Sequence, residues 1–472
     1  MFKPGITKNE IDMSQLNYKF IYFICMVSAM GGLLFGYDWV VIGGAKPFYE
    51  VFFGITRSAP QQGLAMSIAL LGCLVGALTC GLFAARYGRK PLLIGSAAIF
   101  ILSAYGTGAA QTYGVFLCAR FLGGIGIGLA SGLSPMYIAE VAPTKIRGKL
   151  VSLNQMAIVI GILGAQVANY LIADKVPAGL TEVQMLATWN CQMGWRWMFW
   201  MAGLLAIAFL VLAFLIPESP RWLYLKGRDS EAVTTLARIG GEDYAREEAR
   251  TYRESQAARS AEPRQRLTDR RFRYVLWLGI FIAVFQQWCG TNVIFNYAQE
   301  IFTNAGFALS DVLFNIVITG VANLVFTVVA LFTIDRWGRR TLMRIGAGGL
   351  CLVYLTLGTC YALHLSGAFM VLLVVAAISC YAMTLGPCTW VLISELFPNA
   401  IRSAAVATAT FALWVGSFTL TFSFPFLNRA LGSNGTFWIY SLICLVGLWV
   451  FSRYLPETKG KSLEELEKEL TK

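Results

Sequence analysis

Residues 62–92 read QGLAMSIALLGCLVGALTCGLFAARYGRKPL, and the organisation of the chain follows from what that stretch is and where it recurs. Positions 62–84 carry no charge and are long enough to cross a bilayer core, which takes about 20 residues as a helix. The basic run Arg86-Tyr-Gly-Arg-Lys-Pro-Leu92 then ends the apolar stretch. About 250 positions later the pattern returns, with 311–334 apolar and Arg336-Trp-Gly-Arg-Arg-Thr-Leu342 behind it. A second pair repeats at the same topological distance: Glu140, Pro143, Ile146 and Arg147 against Glu395, Pro398, Ile401 and Arg402. A third echo sets Pro217-Glu-Ser-Pro-Arg-Trp-Leu223 against Pro456-Glu-Thr-Lys-Gly-Lys-Ser-Leu463. Repeats of this kind, each following an apolar run, mark an internally duplicated membrane protein.

Composition agrees. Of 472 residues 57% are hydrophobic and 14% charged, which excludes a soluble chain split into two or three cores. Twelve runs are long enough to span: 18–43, 62–84, 92–110, 113–139, 150–173 and 196–216, then 274–303, 311–334, 341–364, 367–393, 401–428 and 436–455. Lipid offers the backbone no partner and the runs lack barrel alternation, so the expectation is an all-α membrane protein of twelve helices in two six-helix bundles. The net charge of +12 implies no nucleic acid, because Lys and Arg sit in short loops rather than on one water-facing surface. They crowd into alternate loops: Arg86, Arg89 and Lys90; Lys145, Arg147 and Lys149; the segment 217–273; Arg336, Arg339 and Arg340; and Arg402. Lys46, Arg57, Lys175 and Arg429 are read as the sparse charges of the other loops. The positive-inside rule then puts both termini in the cytoplasm. The expected units are an N-terminal bundle at 1–216, a cytoplasmic linker with short amphipathic helices at 217–273, a C-terminal bundle at 274–455 and a cytoplasmic tail at 456–472.

The 11 cysteines lie mostly inside apolar runs, so no disulfide or metal framework is legible, and no cofactor is expected. No phosphate-binding GxxxxGK loop supports a primary pump, and a single histidine, His364, gives no catalytic cluster. An enzyme is not expected, and 217–273 is too short for a signalling domain.

Several residues sit where they need a reason. Span seven holds Gln286, Gln287, Asn292 and Asn296 around Gly290, about 12 to 20 residues from the basic end and so near mid-membrane. Amides there must face the bundle interior, where each offers donor and acceptor to a polar ligand or serves as interhelical glue. In span ten Gly386-Pro387 precedes Trp390 and can leave a discontinuous helix beside a site, with an indole to stack on a ligand. Asp38 and Arg120 fall at equal depth, about 10 to 12 Å below the outer surface. An unpaired charge there costs about 2.5 kcal/mol or more, so a pair is expected, for coupling or for structure. At the rim, Arg86, Glu140, Arg147, Arg336, Glu395 and Arg402 form a candidate gating network: topology explains the arginines but not the repeated glutamates.

The chain resembles the major facilitator superfamily and, within it, the sugar porter family, on its Gly-Arg-Lys/Arg loops, PMYIAEVAP (135–143), PESPRWL (217–223), QQWCGTN (286–292) and PETKGKSLEE (456–465). GGLLFGYD (31–38), GLASGLSPMYIAE (128–140) and SELFPNAIR (394–402) are most similar to bacterial sugar:proton symporters of the xylose type. The resemblance implies a monosaccharide, D-xylose or another pentose or a hexose, as substrate and a proton as co-substrate, in a monomer in the lipid bilayer of a bacterial inner membrane. It implies sugar contacts at Gln155, Gln286, Gln287, Asn292 and Trp390, with Tyr297, Asn323, Phe35 and Trp414 as further candidates, and a proton site at Asp38 with Arg120. A passive facilitator or a transporter-like sensor remains open. Three positions depart from the family pattern: Ala85 in place of an acidic residue or Asn, Asn296 in place of a tyrosine, and Leu413 in place of an amide.

Overall fold

A computed structural model describes residues 16–177, 180–261, 267, 269–398 and 401–459. The first fifteen residues and the tail from 460 onward lie outside the described residues. The first half contributes α1 (Tyr18–Phe52), α2 (Ala59–Tyr87), α3 (Lys90–Ala109), α4 (Tyr113–Val141), α5 (Arg147–Ile172), the short α6 (Glu182–Leu186) and α7 (Trp195–Leu215). Next come α8 (Pro220–Leu225) and α9 (Asp229–Ala261), the latter bent at Gly240 and Gly241. The second half contributes α10 (Arg273–Trp288), α11 (Thr291–Asn296), α12 (Ala298–Asn304), α13 (Leu309–Trp337), α14 (Arg339–Ala362), α15 (Ala368–Met383), α16 (Leu385–Leu396) and α17 (Arg402–Arg453).

Among the described residues, eleven helical stretches are long and apolar enough to span a membrane, and the last, Ala404–Arg453, counts 50 residues. At 1.5 Å per residue that is about 75 Å, more than twice a bilayer core. It is two spans joined at Gly432, whose φ is 67°. Twelve spans result, and the molecule is an all-helical multi-pass membrane protein.

Helices approach closely where glycines line up. A Cβ on Gly124 of α4 would lie 1.9 Å from the Ala69 carbonyl oxygen, and one on Gly72 of α2 would lie 2.1 Å from that of Phe121. Spaced glycines thus let these backbones touch, supplying the packing that must hold helices together where lipid removes the hydrophobic drive. The two halves meet where α2 packs on α17, α5 on α13, and α1 on α11 and α12.

One reading from the sequence needs correction. Lys46 is not a loop charge: α1 continues through Pro47 to Phe52, and Lys46 is 1% exposed. The discontinuity expected in span ten is present and falls at Thr384 (φ −123°, ψ −82°), three residues before Pro387, in the turn that proline's missing N–H already leaves short of a bond.

The repeated loops fold into one device built twice. Gly88 and Gly338 take φ of 99° and 83°, turning the chain between antiparallel spans. Glu218 then accepts hydrogen bonds from the Arg89 (2.9 Å) and Lys90 (3.2 Å) N–H groups, and Glu457 from those of Arg339 (3.0 Å) and Arg340 (3.2 Å), so a carboxylate caps the N-terminus of α3 and of α14. Burial pushes the Glu218 carboxyl above its ordinary value against the pull of those N–H groups and of Arg89. It therefore loses its charge, and its hold on α3, at less acidic pH than a solvated glutamate would. The guanidinium of Arg89 meets Glu140 in a bidentate pair at 2.7 and 2.8 Å, and Ser219 donates to the same carboxylate at 2.6 Å. Arg339 meets Glu395 at 3.2 Å, and Thr458 donates to it at 2.6 Å. Arg86 instead lies exposed over the Tyr87 ring.

Arg89→Ala should therefore strand a buried Glu140 carboxylate and cost about 3 kcal/mol, whereas Arg86→Ala should change stability by no more than about 0.5 kcal/mol. Thermal unfolding of the two purified variants in detergent checks this, and equal losses would remove the distinction between the two arginines.

Candidate functional site

The break at Gly290 (φ 87°) ends α10 and restarts the chain as α11, leaving three amides at the discontinuity. Gln286, Gln287 and Asn292 are all buried and bonded in series. Asn292 donates to the Gln287 Oε1 atom, Gln287 donates to Gln286 Oε1 at 2.6 Å, and Gln286 donates to the Tyr381 hydroxyl at 3.0 Å. Each amide has further donor or acceptor capacity, so the series holds the three in place while leaving polar valence for a ligand. Tyr381 was not singled out from the sequence; the break beside it in span ten was the available signal.

The other candidates surround this series in different ways. Gln155 on α5 is half-buried, and Asn323 on α13 and Asn296 on α11 are buried. Trp390 on α16 is 45% exposed despite lying within a span. Phe35 and Trp414 face one another across the halves with ring centroids 6.3 Å apart, and Trp39 packs on both, at 5.8 and 6.1 Å. The Trp414 indole N–H is buried with no hydrogen-bond partner. Tyr297, between α11 and α12, donates its hydroxyl to the Thr421 carbonyl of α17 at 2.7 Å and packs its ring, tilted, against Phe424.

Asp38 and Arg120 form a buried ion pair, with Arg120 Nη1 2.7 Å from Asp38 Oδ1 and Nη2 3.3 Å from the Asp38 carbonyl oxygen. Arg120 also lies over the Phe199 ring. The pair is incompletely satisfied: Asp38 Oδ2 and Arg120 Nε are buried without partners. Arg120, Trp39 and Asn296 line one small cavity.

At the rim the structure brings Glu140 to Arg89 and Glu395 to Arg339, and leaves four of the sequence candidates elsewhere. Arg147 donates to the Ala142 carbonyl and to Thr144, and faces Glu248 of α9. Arg402 donates to the Phe397 carbonyl at 3.1 Å, and its Nη2 is buried without a partner. The Arg336 carbonyl accepts from Lys459. Glu218, Glu457, Ser219 and Thr458 were missed as site residues, although the repeated Pro-Glu-Ser/Thr signalled them.

The profile of the family described as "Sugar (and other) transporter" matches residues 24–470. The D-xylose-proton symporter of Escherichia coli is 36% identical, covering 96% of each chain, and the arabinose-proton symporter of Bacillus subtilis is 35% identical, covering 95% of each. A solved structure of the xylose transporter XylE from Escherichia coli, in a partially occluded inward open conformation, superposes with a TM-score of 0.83 at 34% identity, covering 94% of this chain and 100% of that one. The chain belongs to the sugar porter family of the major facilitator superfamily, and it is a transporter rather than an enzyme.

Proposed function

We propose that this transporter imports a monosaccharide, a pentose such as D-xylose or a hexose, together with a proton, by alternating access. The basic end then faces the cytoplasm of a bacterial cell and both termini lie inside, in accord with the loop charges. The working unit is the monomer.

The observation that carries the reading is the half-satisfied ion pair. A carboxylate inside the membrane with one oxygen on Arg120 and the other without a partner has a place for a proton. The amide series supplies sugar recognition. The relatives named above, by their names, move a pentose with a proton. One charge crossing about 100 mV supplies about 2.3 kcal/mol, enough for nearly fifty-fold accumulation. At the rim, Glu140 and Glu395 are held by Arg89 and Arg339 on their own halves, so the pairs keep each half rigid while the halves move.

Two substitutions test the parts separately. Gln287→Ala removes a link of the amide series and is expected to raise the apparent KM for the sugar roughly 2- to 13-fold, from the loss of about 0.5 to 1.5 kcal/mol. Unchanged affinity in the purified variant would move the sugar elsewhere. Asp38→Asn keeps size and an acceptor for Arg120 but cannot exchange a proton near neutral pH. It should abolish uphill uptake and sugar-driven alkalinisation of the medium while leaving counterflow in proteoliposomes measurable. Uphill uptake retained in Asp38→Asn would refute proton coupling through this residue and leave a passive carrier or another proton site.

A further inference from the structure

At the end opposite the basic loops lies a second group of charges that the transport reading does not use. Lys46 of α1 is buried, paired with Glu50 one turn on at 3.0 Å and with Glu300 of α12, which belongs to the other half. The other Glu50 oxygen accepts from Gln62 of α2 at 3.0 Å. Gln62 Oε1 in turn accepts from Arg429 of α17 at 3.0 Å, and Arg429 also donates to the Arg57 carbonyl at 2.9 Å and the Thr56 carbonyl at 3.3 Å. The series starts on the second half at Glu300, runs through the first half, and returns to the second half at Arg429. Its charges balance, two cations against two carboxylates. Around it the halves touch by backbone: a Cβ on Gly43 would lie 3.0 Å from the carbonyl oxygens of Phe295 and Asn296. Tyr297 carries the Lys46 ammonium over its ring.

Lys46 has been withdrawn from water, and its ammonium is held between a carboxylate on its own helix, Glu50, and one on the other half, Glu300. Separating the halves here would pull Glu300 away and admit water to the cluster. We propose, resting on the transport reading above, that the series Glu300, Lys46, Glu50, Gln62 and Arg429 is the lock that keeps the outer end shut, and that its cross-half links, Lys46 to Glu300 and Arg429 to the α1–α2 turn, break when sugar is admitted from outside. Lys46 is a positioning residue in this scheme: it acts on the population of the closed state and touches no sugar.

The test uses full-length protein in lipid nanodiscs without sugar, with spin labels on azido residues at Gln111 and Ser366, which are exposed at this end of opposite halves and away from the series. Pulsed dipolar spectroscopy reads the ratio of separated to closed populations. Glu300→Gln and Lys46→Gln should raise that ratio at least fivefold, and Arg429→Ala should raise it by a smaller factor. Glu50→Gln should leave it within twofold, because Glu50 and Lys46 share a helix and the cross-half pair survives. Glu300 is the more exposed partner, so Glu300→Gln decides the matter should Lys46→Gln fold poorly. Wild-type distances in Glu300→Gln, or opening by Glu50→Gln as great as by Glu300→Gln, would overturn the lock. No sugar or proton movement enters this measurement, so its failure and that of the Asp38 or Gln287 tests are separable.

Discussion

Charge withdrawn from water into a hydrocarbon slab must be matched by opposite charge or by hydrogen bonds, and that constraint arranges the buried charges described above. The chain meets it with local groups rather than a network through the core: Asp38 with Arg120, Arg89 with Glu140, Arg339 with Glu395, and Lys46 between two glutamates. Each group joins particular helices. The rim pairs tie helices within a half, the Lys46 group ties one half to the other, and the Asp38 pair joins α1 to α4. Where charges pair therefore separates what moves as a body from what comes apart.

Within each half the pairing is redundant. Glu140 holds Arg89 and Ser219 together, and Glu218 holds the start of α3, so the second, third, fourth and last spans of the first half are clamped at one corner. The second half repeats the corner through Glu395, Thr458 and Glu457. Such halves are suited to rocking as rigid units about a central site, the motion by which transporters with repeated halves alternate access.

Much of this was legible beforehand, and the rest was hidden for physical reasons. Spans announce themselves by length and hydropathy, so the twelve-helix architecture needed no contact information. Asp38 and Arg120 could be paired because depth is nearly one-dimensional in a membrane, and two opposite charges at one depth have few alternatives. Choosing between Arg86 and Arg89 was a different problem. Both sit in one basic turn, and only the helix phase beyond Gly88, with its φ of 99°, decides which guanidinium reaches Glu140. Lys46 was misplaced because the apolar run was ended at residue 43, ahead of the charge, whereas α1 carries on through Lys46 and Pro47 to Phe52. The amides of span seven were visible as an anomaly, but their bonding in series through Tyr381 needed the neighbouring helix.

The unbroken course of α1 has a consequence for how the sequence can change. Phe35, Asp38, Trp39, Lys46 and Glu50 all ride on this one 35-residue helix. Their bearings around its axis are fixed by counting alone, at about 100° and 1.5 Å per residue. Substitutions can alter any one of them in place. A single inserted or deleted residue between 35 and 50 would swing everything on one side of it by more than a quarter turn, so that ring, carboxylate and ammonium no longer aim as a set. The middle of α1 is a stretch where spelling can drift but length cannot.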